Sequence, residues 1–264
     1  MKKYLVIGNP INHSQSPQLH NFWIKKNNIK AVFEKQKLES SDLKNLFLKI
    51  KNKEIEGANV TIPFKNEVIS YLDELSHEAE ETRSVNTIYL KDKKIIGHNT
   101  DIDGFSSAIQ DTKFNVNGKK IFIIGAGGVV PSIIFSLMKM NASNIMITNR
   151  TMAKVKKLKE IFDNLTICEW GEIPQFDMII NATSVGLYNN EEINLDFSKI
   201  ENEKFFYDVI YNPKETNFLK NAKSMGNRVE NGKRMFIHQA AAAFKIWHGI
   251  QPEINDEVLK VLDQ

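Results

Sequence analysis

Short apolar runs closed by Gly, Pro or Asn alternate along this chain with longer stretches whose apolar positions recur at helical spacing. The first pattern marks buried strands and the second amphipathic helices. Tyr4–Ile7 reads as a strand, stopped by Gly8, Asn9 and Pro10, and a helix follows from Pro17. Strand Ala31–Lys37, helix Asp42–Lys51, strand Gly57–Thr61, a helical stretch around Glu78–Arg83 and a hairpin from Val85 to Gly97 complete a first unit. A helix from about Asp101 to Asp111 leads to a second unit. Its order is strand Lys120–Ile124, helix Val129–Met140, strand Ile145–Thr148, helix Met152–Phe162, then short strands near Ile167, Ile179 and Phe206–Val209. Helices Met235–Trp247 and Glu253–Leu262 end the chain. This alternation predicts a two-domain α/β fold: an N-terminal α/β domain over 1–101 with its own sheet, and a doubly wound, Rossmann-type nucleotide-binding domain over 102–235.

One segment competes with this reading. Ile121–Met138 carries no charge and, at about 18 residues, reaches the threshold length of a membrane span. Three glycines and Pro131 interrupt it, and Lys119 and Lys120 precede it. A buried parallel strand, a tight turn and a buried helix fit better, with Pro131 in the first helical turn where a missing N–H is tolerated. Composition agrees: 42% hydrophobic and 25% charged residues are ordinary for a water-soluble globular chain of 264 residues. The net charge is only +3, and lysines alternate with acids, as in KKNNIKAVFEKQK, so no nucleic-acid-binding stripe is expected. Cys168 is the single cysteine, which excludes an internal disulfide and a cysteine metal cluster, and the six histidines show no metal-ligand spacing. No leader pattern opens the chain, so a cytoplasmic protein is expected.

Candidate chemistry sits where strands end. INHSQSPQLHN, Ile11–Asn21, follows the first strand and puts Ser14 and Ser16 where open α/β sheets bind ligands. Neutral hydroxyls and helix-terminal amides suit a small carboxylate. The plainer alternative makes Ser16 an N-cap and Pro17 the first helical residue. In the second unit, Gly125-Ala126-Gly127-Gly128 permits a tight turn and close approach of a pyrophosphate to a helix start. The third glycine of the dinucleotide fingerprint is replaced by Val130, so this motif alone is weak. After the next strand, where an NAD site would carry Asp or Glu, the chain has Thr148-Asn149-Arg150-Thr151. A guanidinium in place of a carboxylate favours the 2′-phosphate of NADP. Only four arginines occur, which makes Arg150 an improbable surface filler, though an exposed ion pair is the alternative.

Taken in order with GANVTIPFK (Gly57–Lys65), NTDIDG (Asn99–Gly104), NATSVG (Asn181–Gly186), DVIYNPKET (Asp208–Thr216) and NGKRMFIHQAAAAFKIWHG (Asn231–Gly249), these segments resemble the shikimate dehydrogenase family over nearly the whole chain, to about Pro252. The resemblance implies reversible reduction of 3-dehydroshikimate to shikimate with NADPH. It further implies that helices over about 236–264 return to the first domain. Lys65 and Asp101 match the family's catalytic pair, a proton donor for the developing alkoxide and its electrostatic partner. By the same resemblance, Ser14 and Ser16 bind the substrate carboxylate. Asn59, Thr61, Asn86, Asp101 and Gln239 reach ring hydroxyls, and Tyr211 lies near the carboxylate and the nicotinamide. Thr183, Ser184, Gly232 and Met235 flank the nicotinamide, while the glycine turn and Asn149-Arg150-Thr151 hold the rest of the cofactor. Asn86 and Gln239 have ordinary alternatives as amides satisfying backbone or core. Departures from the family pattern are Val129-Val130 after the glycine turn and Leu187 after Gly186. A small-molecule substrate is the expected partner, with the protein itself a monomer or a homodimer. The rival readings are an NAD-preferring quinate/shikimate dehydrogenase, which Arg150 disfavours, and a non-catalytic nucleotide sensor, which would be expected to lack the Lys65–Asp101 pair.

Overall fold

The computed structural model describes residues 1–188 and 191–263. The chain divides into two compact units, Met1–Gly104 with Ile237–Gln264, and Phe105–Phe236. In the first unit the elements run β1 (Lys2–Gly8), α1 (Ser16–Lys26), β2 (Ala31–Lys37), α2 (Leu43–Lys51), β3 (Gly57–Val60), β4 (Glu74–Leu75), α3 (His77–Thr82), β5 (Thr87–Lys91) and β6 (Lys94–His98). α4 (Asp101–Thr112) follows, and the chain passes into the second unit within it.

The six strands of the first unit lie in the order β2-β1-β3-β5-β6-β4. β1 pairs in parallel with β2 and β3, so both β1 and β3 deliver their carboxyl ends to the same edge of the sheet. β5 runs antiparallel to β3, and β6, antiparallel to β5, returns the chain to that edge at Asn99. The turn between β5 and β6 uses Asp92 and Lys93, both at positive φ (50° and 66°), the twist that matches a two-residue hairpin. α2 buries Leu43, Leu46, Phe47 and Ile50, one face at helical spacing, against Leu5, Ile7, Ala58 and Val60.

The second unit comprises β7 (Lys120–Ile124), α5 (Val130–Lys139), β8 (Asn144–Thr148), α6 (Met152–Ile161), β9 (Leu165–Ile167), β10 (Met178–Asn181), β11 (Phe205–Asp208), α7 (Asn217–Ser224) and β12 (Arg228–Glu230). Its sheet is wholly parallel, in the order β12-β11-β10-β7-β8-β9. That is the doubly wound arrangement, with the reversal of strand order between β7 and β10. β10 and β11 are buried throughout, as expected of strands covered on both faces. The uncharged run 121–138 is therefore strand, turn and a ten-residue helix with Pro131 in its first turn. Among the described residues no helix is long and apolar enough to cross a membrane.

α8 (Lys233–His248) carries the chain back, and α9 (Asp256–Val261) follows. The indole N–H of Trp247 donates to the carbonyl of Ile88 on β5 at 3.1 Å, and that of Trp23 on α1 donates to Glu253 at 3.2 Å. The C-terminal segment thus completes the first unit. Among the described residues five elements escape the periodicity reading: 3₁₀ turns at Ser40–Asp42 and Glu67–Tyr71, β4, α7 and β12. α1 also differs in detail. It begins at Ser16 itself, after Gln15, and Pro17 is its second residue.

Candidate active site

The first-unit cluster is assembled at the shared carboxyl edge of β1 and β3. Beyond β1, the N–H of Ser16 donates to Oγ of Ser14 at 3.3 Å. Ser16 is buried and its hydroxyl caps nothing, because the cap position is Gln15 and no side chain serves there. The helix-cap alternative is thereby removed for Ser16. Asn59 lies within β3, and its amide donates to the carbonyl of Asn86 and to Oγ1 of Thr87, both at 3.1 Å. Its Oδ1 is buried with no partner in the protein. Thr61 follows β3, and its methyl group lies where a Cβ on Gly8 would stand, 2.5 Å away.

Lys65, beyond β3, and Asp101, at the start of α4, form a direct ion pair. Their side chains are only 12% and 8% exposed, so the pair is shielded without being sealed from a ligand. Each member is fixed through the backbone. The carbonyl of Lys65 receives the N–H of Val85 at 2.8 Å, just ahead of the hairpin. Asp101 opens α4, and its N–H donates to Oδ1 of Asn99 at 3.2 Å. The second carboxylate oxygen of Asp101 accepts from the amide of Asn86 at 2.9 Å, and the same amide reaches Oε1 of Gln239 at 3.4 Å. Asn86 is oriented in turn by its own Oδ1, which accepts the N–H of Thr100 at 2.8 Å and the hydroxyl of Thr87 at 3.0 Å. One hydrogen-bonded chain thus joins Lys65, Asp101, Asn86, Gln239 and Asn59. Thr87 and Thr100, which hold it together, carry no signal of this role in the sequence.

Beside Asn59 stands His20, fully buried and stacked on Phe33 at 4.2 Å, with neither ring nitrogen hydrogen-bonded. Burial and the neighbouring His248 push its pKa down to about 3, against a smaller opposing effect of the Asn59 side chain. It is a neutral wall of the cluster.

The second unit carries the remaining candidates at the carboxyl ends of its own strands. Gly125 directly follows β7 at φ +114°, and a Cβ there would lie 2.7 Å from the carbonyl oxygen of Ala182, just past β10. The turn therefore demands glycine and sits at the reversal of strand order. Ala126, Gly127 and Gly128 lead into α5. Gly127 is exposed, and a Cβ there would meet nothing closer than the carbonyl oxygen of Ala182 at 3.8 Å. At the end of β8, Asn149 donates to the carbonyl of Thr151 at 2.9 Å, and Arg150 and Thr151 are exposed. Lys154, passed over in the sequence, is a second exposed cation in the first turn of α6. An open glycine turn leading into a helix and two exposed cations one strand away fit a phosphorylated dinucleotide.

Thr183, Ser184, Tyr211, Gly232 and Met235 gather on the neighbouring segments. Thr183 donates to Oδ1 of Asn181 at 2.7 Å, and Ser184 is exposed. Tyr211 stacks on Phe236 with ring centres 4.6 Å apart. A Cβ on Gly232 would fall 2.1 Å from the carbonyl of Val209, so this glycine lets the two segments touch; Met235 is buried close by in the chain. Beneath them lies Asp208, another residue to which the sequence assigns no role. It is wholly buried, and burial raises its pKa to about 6 against the hydrogen bonds it accepts. Among the described residues no three His, Cys, Asp or Glu side chains converge as a metal site.

Comparison with known proteins agrees with the two-unit fold. Residues 6–88 match the shikimate dehydrogenase substrate binding domain, 107–221 the shikimate / quinate 5-dehydrogenase domain, and 232–256 the shikimate 5′-dehydrogenase C-terminal domain. The chain is 55% identical over 262 residues to the NADP(+) shikimate dehydrogenase of Pelagibacter ubique, covering 99% of each. Among solved structures, shikimate dehydrogenase of Aquifex aeolicus is 34% identical with a TM-score of 0.92, over 100% of this chain and 98% of that one. The enzyme of Thermus thermophilus, solved with NADP(H) and shikimate, is 27% identical with a TM-score of 0.91, over 100% of this chain and 99% of that one.

Proposed function

The chain belongs to the shikimate dehydrogenase family, and from that premise we propose that it interconverts 3-dehydroshikimate and shikimate with Lys65 and Asp101 as its acid–base pair. It is an NADP-dependent oxidoreductase. NADP supplies or accepts the hydride when bound. Reduction of the ketone leaves negative charge on oxygen, and Lys65 delivers a proton there as the charge develops. Asp101 holds the ammonium in place, and the amide of Asn86 holds Asp101. The observation that carries this reading is that shielded ion pair, built from two distant motifs at the carboxyl edge of the first sheet.

Substrate recognition follows from the same edge. Ser14 and Ser16 receive the carboxylate. The unpartnered Oδ1 of Asn59 accepts a ring hydroxyl, and Thr61, Asn86 and Gln239 present further donors and acceptors. Polar groups matched to hydroxyls discriminate far more strongly than an apolar pocket, since a substrate lacking one leaves a buried partner unpaired. On the cofactor side the Gly125–Gly128 turn and the start of α5 take the pyrophosphate, and Asn149, Arg150 and Thr151 take the 2′-phosphate. Thr183, Ser184, Tyr211, Gly232 and Met235 surround the nicotinamide end.

Side-by-side oxidation of shikimate and quinate with NADP and with NAD tests the assignment. Shikimate with NADP is expected to be turned over with the highest kcat/KM. Equal or better turnover of quinate with NAD would replace this reading by the quinate-type one.

A further inference from the structure

Asn181 and Asp208 are the last residues of adjacent parallel strands and are paired in register. Both are wholly buried at the ends of otherwise apolar strands, MIIN and FFYD. One oxygen of Asp208 accepts from the amide of Asn181 at 3.1 Å and from the N–H of Ile210 at 3.0 Å. The other accepts from the hydroxyl of Thr216 at 2.6 Å, and that hydroxyl also caps α7 through the N–H of Leu219. Asn181 passes the restraint on. Its Oδ1 receives the N–H and hydroxyl of Thr183, and its amide also donates to the carbonyl of Val185 at 3.1 Å. Gly186, at φ +109°, packs directly on Thr216.

We propose that Asp208 is a positioning residue that locks the segments 182–186 and 209–216, and with them Thr183, Ser184 and Tyr211, into the single arrangement that aligns the nicotinamide end of the cofactor. This rests on the reading of those segments given above and deepens it. The branches through Asn181 and Ile210 end within two residues of a group assigned to that end, and none ends at the glycine turn or at Arg150. Among the described residues the carboxylate is held by dipoles alone, the amide of Asn181, the N–H of Ile210 and the hydroxyl of Thr216. Burial raises its pKa to about 6, so keeping it ionised at neutral pH opposes folding, a cost that an apolar residue at this strand end would avoid. What the carboxylate adds is acceptors for three donors at once on two segments.

The test compares Asp208→Ala with the near-isosteric Asp208→Asn. Asparagine keeps an acceptor for Asn181 and Ile210 and can donate to Thr216. Asp208→Ala is expected to lower kcat for shikimate oxidation about ten- to a hundredfold, the scale of a small misalignment of reacting groups. It should also weaken NADP binding while leaving the affinities for adenosine 2′,5′-bisphosphate, which lacks the nicotinamide, and for shikimate within about twofold. Asp208→Asn should restore most of the rate. If Asp208→Ala does not fold, Thr216→Val carries the same comparison with a smaller loss. Parallel loss of NADP, adenosine 2′,5′-bisphosphate and shikimate binding would overturn the proposal in favour of a general structural role, as would unchanged kcat and NADP affinity in Asp208→Ala or, where that variant is unfolded, in Thr216→Val. The two readings fail separately. Wild-type protein inactive on shikimate but binding NADP would count against the function alone, and the contrast between the two nucleotides would still test Asp208. Wild-type protein that does not bind NADP would overturn both.

Discussion

At the scale of single residues, the Lys65–Asp101 pair makes the strictest demand, because an isolated lysine in a lysine-rich chain is ordinarily a solvated surface group. Its side chain here is shielded and paired, and the carboxylate that pairs it is itself held by an amide. A proton donor acts in the transition state more than in the ground state, so Lys65→Ala should lower kcat far more than it raises KM for shikimate. General acid–base catalysis is worth about 10² to 10⁴-fold, which sets the expected loss. Asp101→Asn should also slow turnover, and the double variant should be much less impaired than the product of the two single losses. Steady-state kinetics on the three proteins decides it. Retention of more than about half the wild-type kcat in Lys65→Ala would take that residue out of the mechanism, and multiplicative losses would show that the two do not act as a unit.

At the scale of elements, what the sequence made legible and what it hid divide along physical lines. β1, β3, β7 and β8 announce themselves because a buried strand needs a continuous or alternating apolar run and a turn residue to stop it, and each has both. β4 has two residues, too few to carry a period. α7, NFLKNAKS, buries only Phe218, Leu219 and Ala222 and is otherwise a polar stretch, so its start is marked by the Thr216 cap rather than by periodicity. Candidate site residues at strand ends were legible from their motifs. Their supports were not, because Thr100 reaches Asn86 across the hairpin and Asp208 reaches Asn181 across a strand pair, and single-sequence patterns do not report such pairings. Arg150 belongs to the legible group, since the turn from β8 into α6 is where a doubly wound fold reads the ribose. The structure leaves it exposed, with Asn149 already committed to the carbonyl of Thr151. Arg150→Ala should therefore weaken NADP binding by about 1.5 to 3 kcal/mol, the range for a charge-assisted hydrogen bond, and leave NAD binding nearly unchanged. Equilibrium titration with both nucleotides checks this, and equal weakening of the two would remove Arg150 from the 2′-phosphate.

At the scale of the whole molecule, the two units carry buried titratable groups whose effects on stability run in opposite directions with pH. In the second unit the raised pKa of Asp208, about 6 against 3.8, means that the folded form holds its proton more tightly than the unfolded chain. Its contribution to stability is fullest below about pH 4 and is lost as pH rises through about 6. In the first unit, burial lowers His20 from 6.5 to about 3, and burial with Lys2 nearby lowers His248 to about 4. There the unfolded chain binds the protons more tightly, so stability is complete above about pH 6.5 and falls as pH drops toward the folded-state values. The first unit is thus the acid-sensitive one, and Trp23 and Trp247, which lie against His20, report on it directly. Since each pKa unit corresponds to about 1.4 kcal/mol, proton uptake by His20 in the unfolded chain should alone remove roughly 2.5 to 3 kcal/mol between pH 7.5 and 4.5. Chemical denaturation followed by tryptophan fluorescence at the two pH values should show that loss in wild-type protein. His20→Phe, which keeps a ring on Phe33 and cannot take a proton, should be flatter across the same range. A variant as acid-sensitive as the wild type would mean that the aromatic cluster opens to let His20 charge in water. His20 would then be no fixed wall beside Asn59, and the unpartnered oxygen of Asn59 would have water to meet before any substrate hydroxyl arrived.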